Sequence, residues 1–112
     1  MSPRDEVRLR HIRDAIESAR RFASGRTRAD LDRDEMLLFA LTRAIQIVGE
    51  AAAKMSEESR RDIPDVPWQE IIGMRNRLVH AYMDVDLDLL WKTVMDALPP
   101  VEVSIRRALG ED

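Results

Sequence analysis

Ten consecutive residues concentrate much of the polar chemistry this chain can offer: Gly73-Met74-Arg75-Asn76-Arg77-Leu78-Val79-His80-Ala81-Tyr82. The chain has two histidines and one tyrosine, and one of each falls here. An imidazole with a pKa of about 6.5 takes and gives protons at neutral pH. An arginine presents a rigid, permanently charged fork that suits phosphate oxygens. An asparagine amide can orient the imidazole or contact the phosphate itself. Together these groups suit metal-independent cleavage of a ribose phosphodiester. His80 would act as acid and base on the ribose 2′-hydroxyl, and Arg75 would stabilise charge growing on the phosphoryl oxygens.

Spacing governs whether these groups can meet. If the stretch is helical, Asn76 and His80 share a face, since side chains at i and i+4 are neighbours. Arg75 lies five residues before His80, about 140° around the axis, and reaches the same point only through its long side chain. Sixteen of the 112 residues are Arg, so an Arg a few places before a His carries little information alone; Arg4 and His11 make a second such pair. A plain alternative is an exposed polar patch near a helix end, with His80 favoured there by the helix dipole.

The context of the motif is more specific. The run from Gly73 to Tyr82, followed by Val85-Asp86-Leu87-Asp88 and Leu90-Trp91, resembles the HepT-like toxins of the HEPN superfamily of small helical ribonucleases. The likeness extends upstream to Ile47-Val48-Gly49-Glu50-Ala51-Ala52, the Pro67-Trp68 pair and Ile71, and downstream to Leu98-Pro99-Pro100. It spans the chain from about Arg33 to the end and is weakest over the first helix. The resemblance implies a metal-independent endoribonuclease, the toxin of a type II toxin–antitoxin pair, acting as a homodimer with its active sites in a cleft between protomers. It implies Arg75, Asn76 and His80 as catalytic residues. It also implies a minimal nucleotidyltransferase antitoxin that transfers AMP to the motif tyrosine, here Tyr82. A bulky anion two residues from His80 would occupy the cleft and compete for Arg75. The alternative for Tyr82 is a half-buried aromatic closing a helix end.

Length and composition set the frame. A chain of 112 residues is long enough for a single core, so we expect one domain over 1–112. Cysteine is absent, so there is neither a disulfide nor a thiolate metal site. We expect a cytoplasmic protein without a membrane partner: no apolar run approaches about 20 residues, and Met1-Ser2-Pro3-Arg4-Asp5-Glu6 lacks a signal-peptide form. The net charge of −3 is unlike a general nucleic-acid coat, yet residues 1–28 hold eight Arg against four acids. A basic first helix could track RNA phosphates or be an ordinary solvated face.

Periodicity predicts an all-α protein: an up-and-down bundle of four main helices, homodimeric, with the last helix kinked or broken at Pro99-Pro100. The first helix should run from about Arg4 to Phe22 or Ala23, its stripe being Leu9, Ile12, Ile16, Ala19 and Ala23. Ser24 to Asp32 reads as a loop, and Asp32 with Glu35 as a variant capping box for a second helix reaching about Met55. That helix is apolar nearly all round, which suits a bundle centre or a dimer contact. Gly49 and its neighbouring alanines would permit close helix approach. Glu50 could reach the cleft or pair with an arginine, without a direct catalytic role. Ser56 to Val66 reads as charged, then turn-like. Pro67 should open a third helix ending between His80 and Met83, with Trp68 in the core. Asp86 should cap the fourth helix, leaving Asp84, Asp86 and Asp88 poor candidates for a metal site. His11 has no second His at ligand spacing, so no metal or cofactor is expected.

Two rival functions stand beside the nuclease: a non-catalytic helical docking subunit of a two-component nucleotidyltransferase, and a structural dimerisation domain with a buried polar network. RNase activity of the partner-free protein separates the first from catalysis.

Overall fold

The structure is a computed structural model that describes residues 1–79 and 84–111. The described residues are all-helical apart from turns and one isolated bridge.

Helix α1 spans Pro3–Ala23. Ser2 caps it by accepting from the Asp5 N–H at 3.2 Å, and Pro3, Asp5 and Glu6 fill the first turn. All five residues of the predicted stripe are buried. A 3₁₀ turn, Arg28–Asp32, follows where a plain loop was expected. The Asp30 carboxylate accepts from the Thr27 N–H at 2.7 Å and nucleates it. This corrects the cap of the second helix: Asp32 ends the 3₁₀ turn, and Asp34 caps α2 (Glu35–Lys54) by accepting from the Leu37 N–H at 3.1 Å.

Helix α2 is the organising element. It packs on α1 along one side and on α4 (Trp68–Leu78) along the other. By length and composition it could cross a membrane, which corrects the expectation that no segment approaches such a span. Counting uninterrupted apolar runs misses it, because Thr42, Arg43, Gln46 and Glu50 interrupt the run without making the helix polar. Leu41, Ile45, Val48 and Ala52 are buried against the neighbouring helices. Gly49 explains the close fit. A Cβ there would sit 3.3 Å from the Ile71 carbonyl and 3.6 Å from that of Ile72, so α4 lies against bare backbone.

The segment expected to be a turn holds a short helix, α3 (Glu57–Arg61), capped by Ser56. It is tied to α1 by a buried carboxylate. Asp5 accepts from the hydroxyls of Ser59 at 2.6 Å and Ser56 at 2.7 Å. The Ser59 bond, opposed by burial and helped by Ser56 and Arg8, lowers the Asp5 pKa from 3.8 to about 2. Trp68 lies in the core as expected, its indole N–H donating to the Ile63 and Arg60 carbonyls, both at 3.0 Å. Pro67 is the cap and Trp68 the first helical residue, one position later than expected.

Helix α4 ends at Leu78, before the expected range of His80 to Met83. Val79 is extended and forms an antiparallel bridge with Val85, and the Asp86 N–H donates to the Leu78 carbonyl at 2.9 Å. Asp86 caps α5 (Leu87–Lys92) as expected, accepting from the Leu89 N–H at 3.0 Å. Helix then continues through a π turn, Thr93–Ala97, into α6 (Leu98–Ala108). The irregularity expected at Pro99-Pro100 thus falls just before the prolines. A proline ring clashes with the carbonyl four residues earlier and offers it no N–H. For these prolines those carbonyls belong to Met95 and Asp96, inside the π turn. The wider turn absorbs the misfit, and the buried stripe Leu90, Val94, Leu98, Val101, Ile105 runs through unbroken.

Candidate functional site

Helix α4 buries Trp68, Ile71, Met74 and Leu78, a stripe at helical period that fixes its rotation. Arg75 and Asn76 are therefore left exposed on the flank that meets α2. They line a cavity of about 330 Å³ together with Ile72 and with Gln46, Gly49 and Glu50 of α2. The Arg75 Nη1 lies 3.5 Å from the Asn76 Oδ1, a long contact that leaves the guanidinium nearly unengaged. Among the described residues Arg75 has no ion pair, so its charge is available to an anion. Arg77 is turned the other way. It crosses over Gly73 and donates to the Glu70 carbonyl at 2.6 Å, and it lines a separate cavity beside α5.

Two of the four expected site residues are thus brought together, Arg75 and Asn76. The other two, His80 and Tyr82, lie outside the described residues. So does the helix face that Asn76 and His80 were expected to share; within the described residues Val79 is extended and bridges Val85.

Glu50 lies at this site, one of the two placements expected for it. Its carboxylate lines the same cavity, accepts from the Gln46 Nε2 at 2.9 Å and lies 4.0 Å from the Arg43 Nη1. The sequence signal is the spacing of Gln46, Gly49, Glu50 and Ala53, one face of α2 at period three to four, about a third of a turn round from the face that Ile45, Val48 and Ala52 bury. That signal becomes readable only once α4 is known to lie on it.

Among the described residues, no group of three or more His, Asp or Glu side chains is placed to hold a metal. Asp86 is used as a cap, and Asp88 accepts from Arg28 at 2.6 Å. What the arrangement offers is an open anion site: a guanidinium and an amide at a cavity rim and one carboxylate in the wall.

Comparison with known proteins agrees with the motif. The chain is 37% identical over 94 residues to the "Probable ribonuclease HepT" of Thermococcus cleftensis, covering 84% of this chain and 86% of that one. It is 32% identical over 104 residues to a protein of Caldanaerobacter subterraneus subsp. tengcongensis named "Putative RNase", covering 93% of each. No solved structure matches the chain. A family model described as ribonuclease HepT-like matches residues 12–108, nearly the whole chain, and with these relatives it establishes that the protein belongs to the HepT-like family.

Proposed function

We propose that this protein is a metal-independent endoribonuclease and the toxin of a type II toxin–antitoxin pair, working in the cytoplasm as a homodimer of up-and-down helical bundles. The observation that carries this reading is the Arg75 guanidinium, without an ion pair among the described residues, beside the Asn76 amide on an open cavity, in a chain of the HepT-like family. In the proposed reaction His80 takes the proton of the ribose 2′-hydroxyl. The 2′-oxygen attacks phosphorus, the bond to the 5′-oxygen breaks, and the proton is delivered to that leaving oxygen. The products are a 2′,3′-cyclic phosphate and a 5′-hydroxyl. Arg75 balances the charge gathering on the non-bridging oxygens, and Asn76 positions the phosphate or the imidazole. A minimal nucleotidyltransferase antitoxin would silence the enzyme by transferring AMP to Tyr82, placing a bulky anion next to Arg75.

Incubation of the partner-free protein with labelled RNA in EDTA, beside His80→Ala, tests the reading. Cleavage by the wild type and a loss of at least about a hundredfold in the variant are expected, within the range of general acid–base catalysis. Undiminished cleavage by His80→Ala overturns the mechanism. No cleavage by wild type whose Tyr82 is unmodified by intact mass points instead to a non-catalytic docking subunit.

A further inference from the structure

A second, larger groove of about 620 Å³ runs between α1 and α2 on the face of α2 away from α4. Its walls carry Arg4, Arg8, Arg43, Lys54 and His11, and the one carboxylate lining it is Glu50. Glu50 also lines the Arg75–Asn76 cavity, so the two depressions meet at that residue.

The cations of this groove differ from four arginines elsewhere in the chain. Arg13, Arg26, Arg28 and Arg106 are each held by two or more carboxylates. In the groove, Arg8 is held by Asp5 at 3.3 Å and by the Lys54 carbonyl, and Arg43 reaches Glu50 only at 4.0 Å. Arg4 and Lys54 are exposed and have no ion pair among the described residues. A chain of net charge −3 therefore leaves four cations against one carboxylate beside its candidate active site. Arg43 and Lys54 are eleven residues apart on one helix, about 16 Å at about 1.5 Å per residue. A stacked strand has about 3.4 Å per phosphate, so the groove matches roughly four to five nucleotides.

We propose that this groove is the binding track for the single-stranded RNA flanking the cleaved bond, entered from the Arg75–Asn76 cavity across Glu50. The proposal rests on the ribonuclease reading for its substrate. The groove supplies affinity through phosphates, independent of base identity, and the Arg75 cavity holds the reacting phosphodiester.

The test is the double variant Arg4→Gln/Lys54→Gln, both at exposed positions. Binding of a labelled oligoribonucleotide of about 12 nucleotides, longer than the groove, is measured by anisotropy against salt in the His80→Ala background. Cleavage of that oligomer and of a dinucleotide, too short to enter the groove, is measured with His80 intact. We expect affinity to fall about tenfold and the slope of log affinity against log salt to shrink by about 1.4, or about 0.7 per lost phosphate contact. Oligomer KM should rise while dinucleotide cleavage is unchanged. Unchanged affinity and salt slope overturn the groove and leave the nuclease standing. A double variant that shifts towards monomer in sedimentation, with RNA affinity intact, also overturns it and marks the face as a protein contact. Weakened RNA binding together with no cleavage by wild type supports the groove and sinks the nuclease.

Discussion

Glu50 is the residue whose role is easiest to mistake. A carboxylate in a cavity built to attract phosphate works against ligand binding, unless it takes a proton in the reaction. Its partners are Gln46 and, loosely, Arg43, an arrangement that holds the side chain in place. Glu50→Gln keeps the shape and removes the repulsion. The expected result is a KM for RNA about fivefold lower with kcat nearly unchanged, since a like-charge contact in high dielectric is worth about 1 kcal/mol. Steady-state kinetics on a defined oligonucleotide reads this. A kcat loss of a hundredfold or more would make Glu50 a proton carrier instead. Residue types on the chain pointed directly to Arg75, Asn76 and His80, because their chemistry is intrinsic. Glu50 was harder to read, because its importance comes from which neighbour its helix face meets. Asp5 was harder still. It reads as a first-turn acid matched to the helix dipole, and nothing local announces that Ser56 and Ser59 close over it.

At the scale of elements, apolar period located the long helices and their buried faces, while their ends obeyed more local rules. Asp86 could be read as a cap from sequence. The start of α2 could not, because the Thr27–Asp30 contacts build a 3₁₀ turn that postpones the helix by two residues. The end of α4 was missed for a related reason: the bridge from Val79 to Val85 competes with further helix, and the pairing depends on chain that comes later. The contact at Gly49 sets how α4 presents Arg75. Gly49→Ala gains about 1 kcal/mol of helix propensity and offsets it with a Cβ crowding the Ile71 carbonyl at 3.3 Å. We expect a midpoint in urea close to wild type but activity several-fold lower, since small displacements of positioning groups are costly. Gly49→Val should be destabilised by about 1–3 kcal/mol through overpacking. Wild-type activity in Gly49→Ala would show that the close approach does not aim Arg75.

The whole molecule measures 42 × 30 × 19 Å. Its thin dimension is about two helix diameters, so few elements are enclosed on all sides. The outer side of α2 accordingly exposes Met36 and Phe39, on the helix that also borders the proposed RNA groove. Stability of so thin a body depends on pins between distant segments, and Asp5 is one. Its pKa is lowered in the fold, so its contribution is fully present above about pH 4 and is lost as pH falls towards 2. Hydrogen bonds to a charged group are worth about 1.5–3 kcal/mol each, and Ser59→Ala should cost about that much at pH 7. Urea unfolding at pH 7 and pH 3 should show the penalty shrinking at the lower pH; an equal penalty at both would assign the loss to packing.

The pairing of Val79 with Val85 has a bearing on how such a protein can change over time. The two valines close a clasp, and after it Asp86 caps a new helix. A change at Val79 or Val85 therefore loosens both the end of α4 that carries Arg75 and Asn76 and the start of the next helix. The pair is constrained more tightly than two half-buried valines would otherwise be.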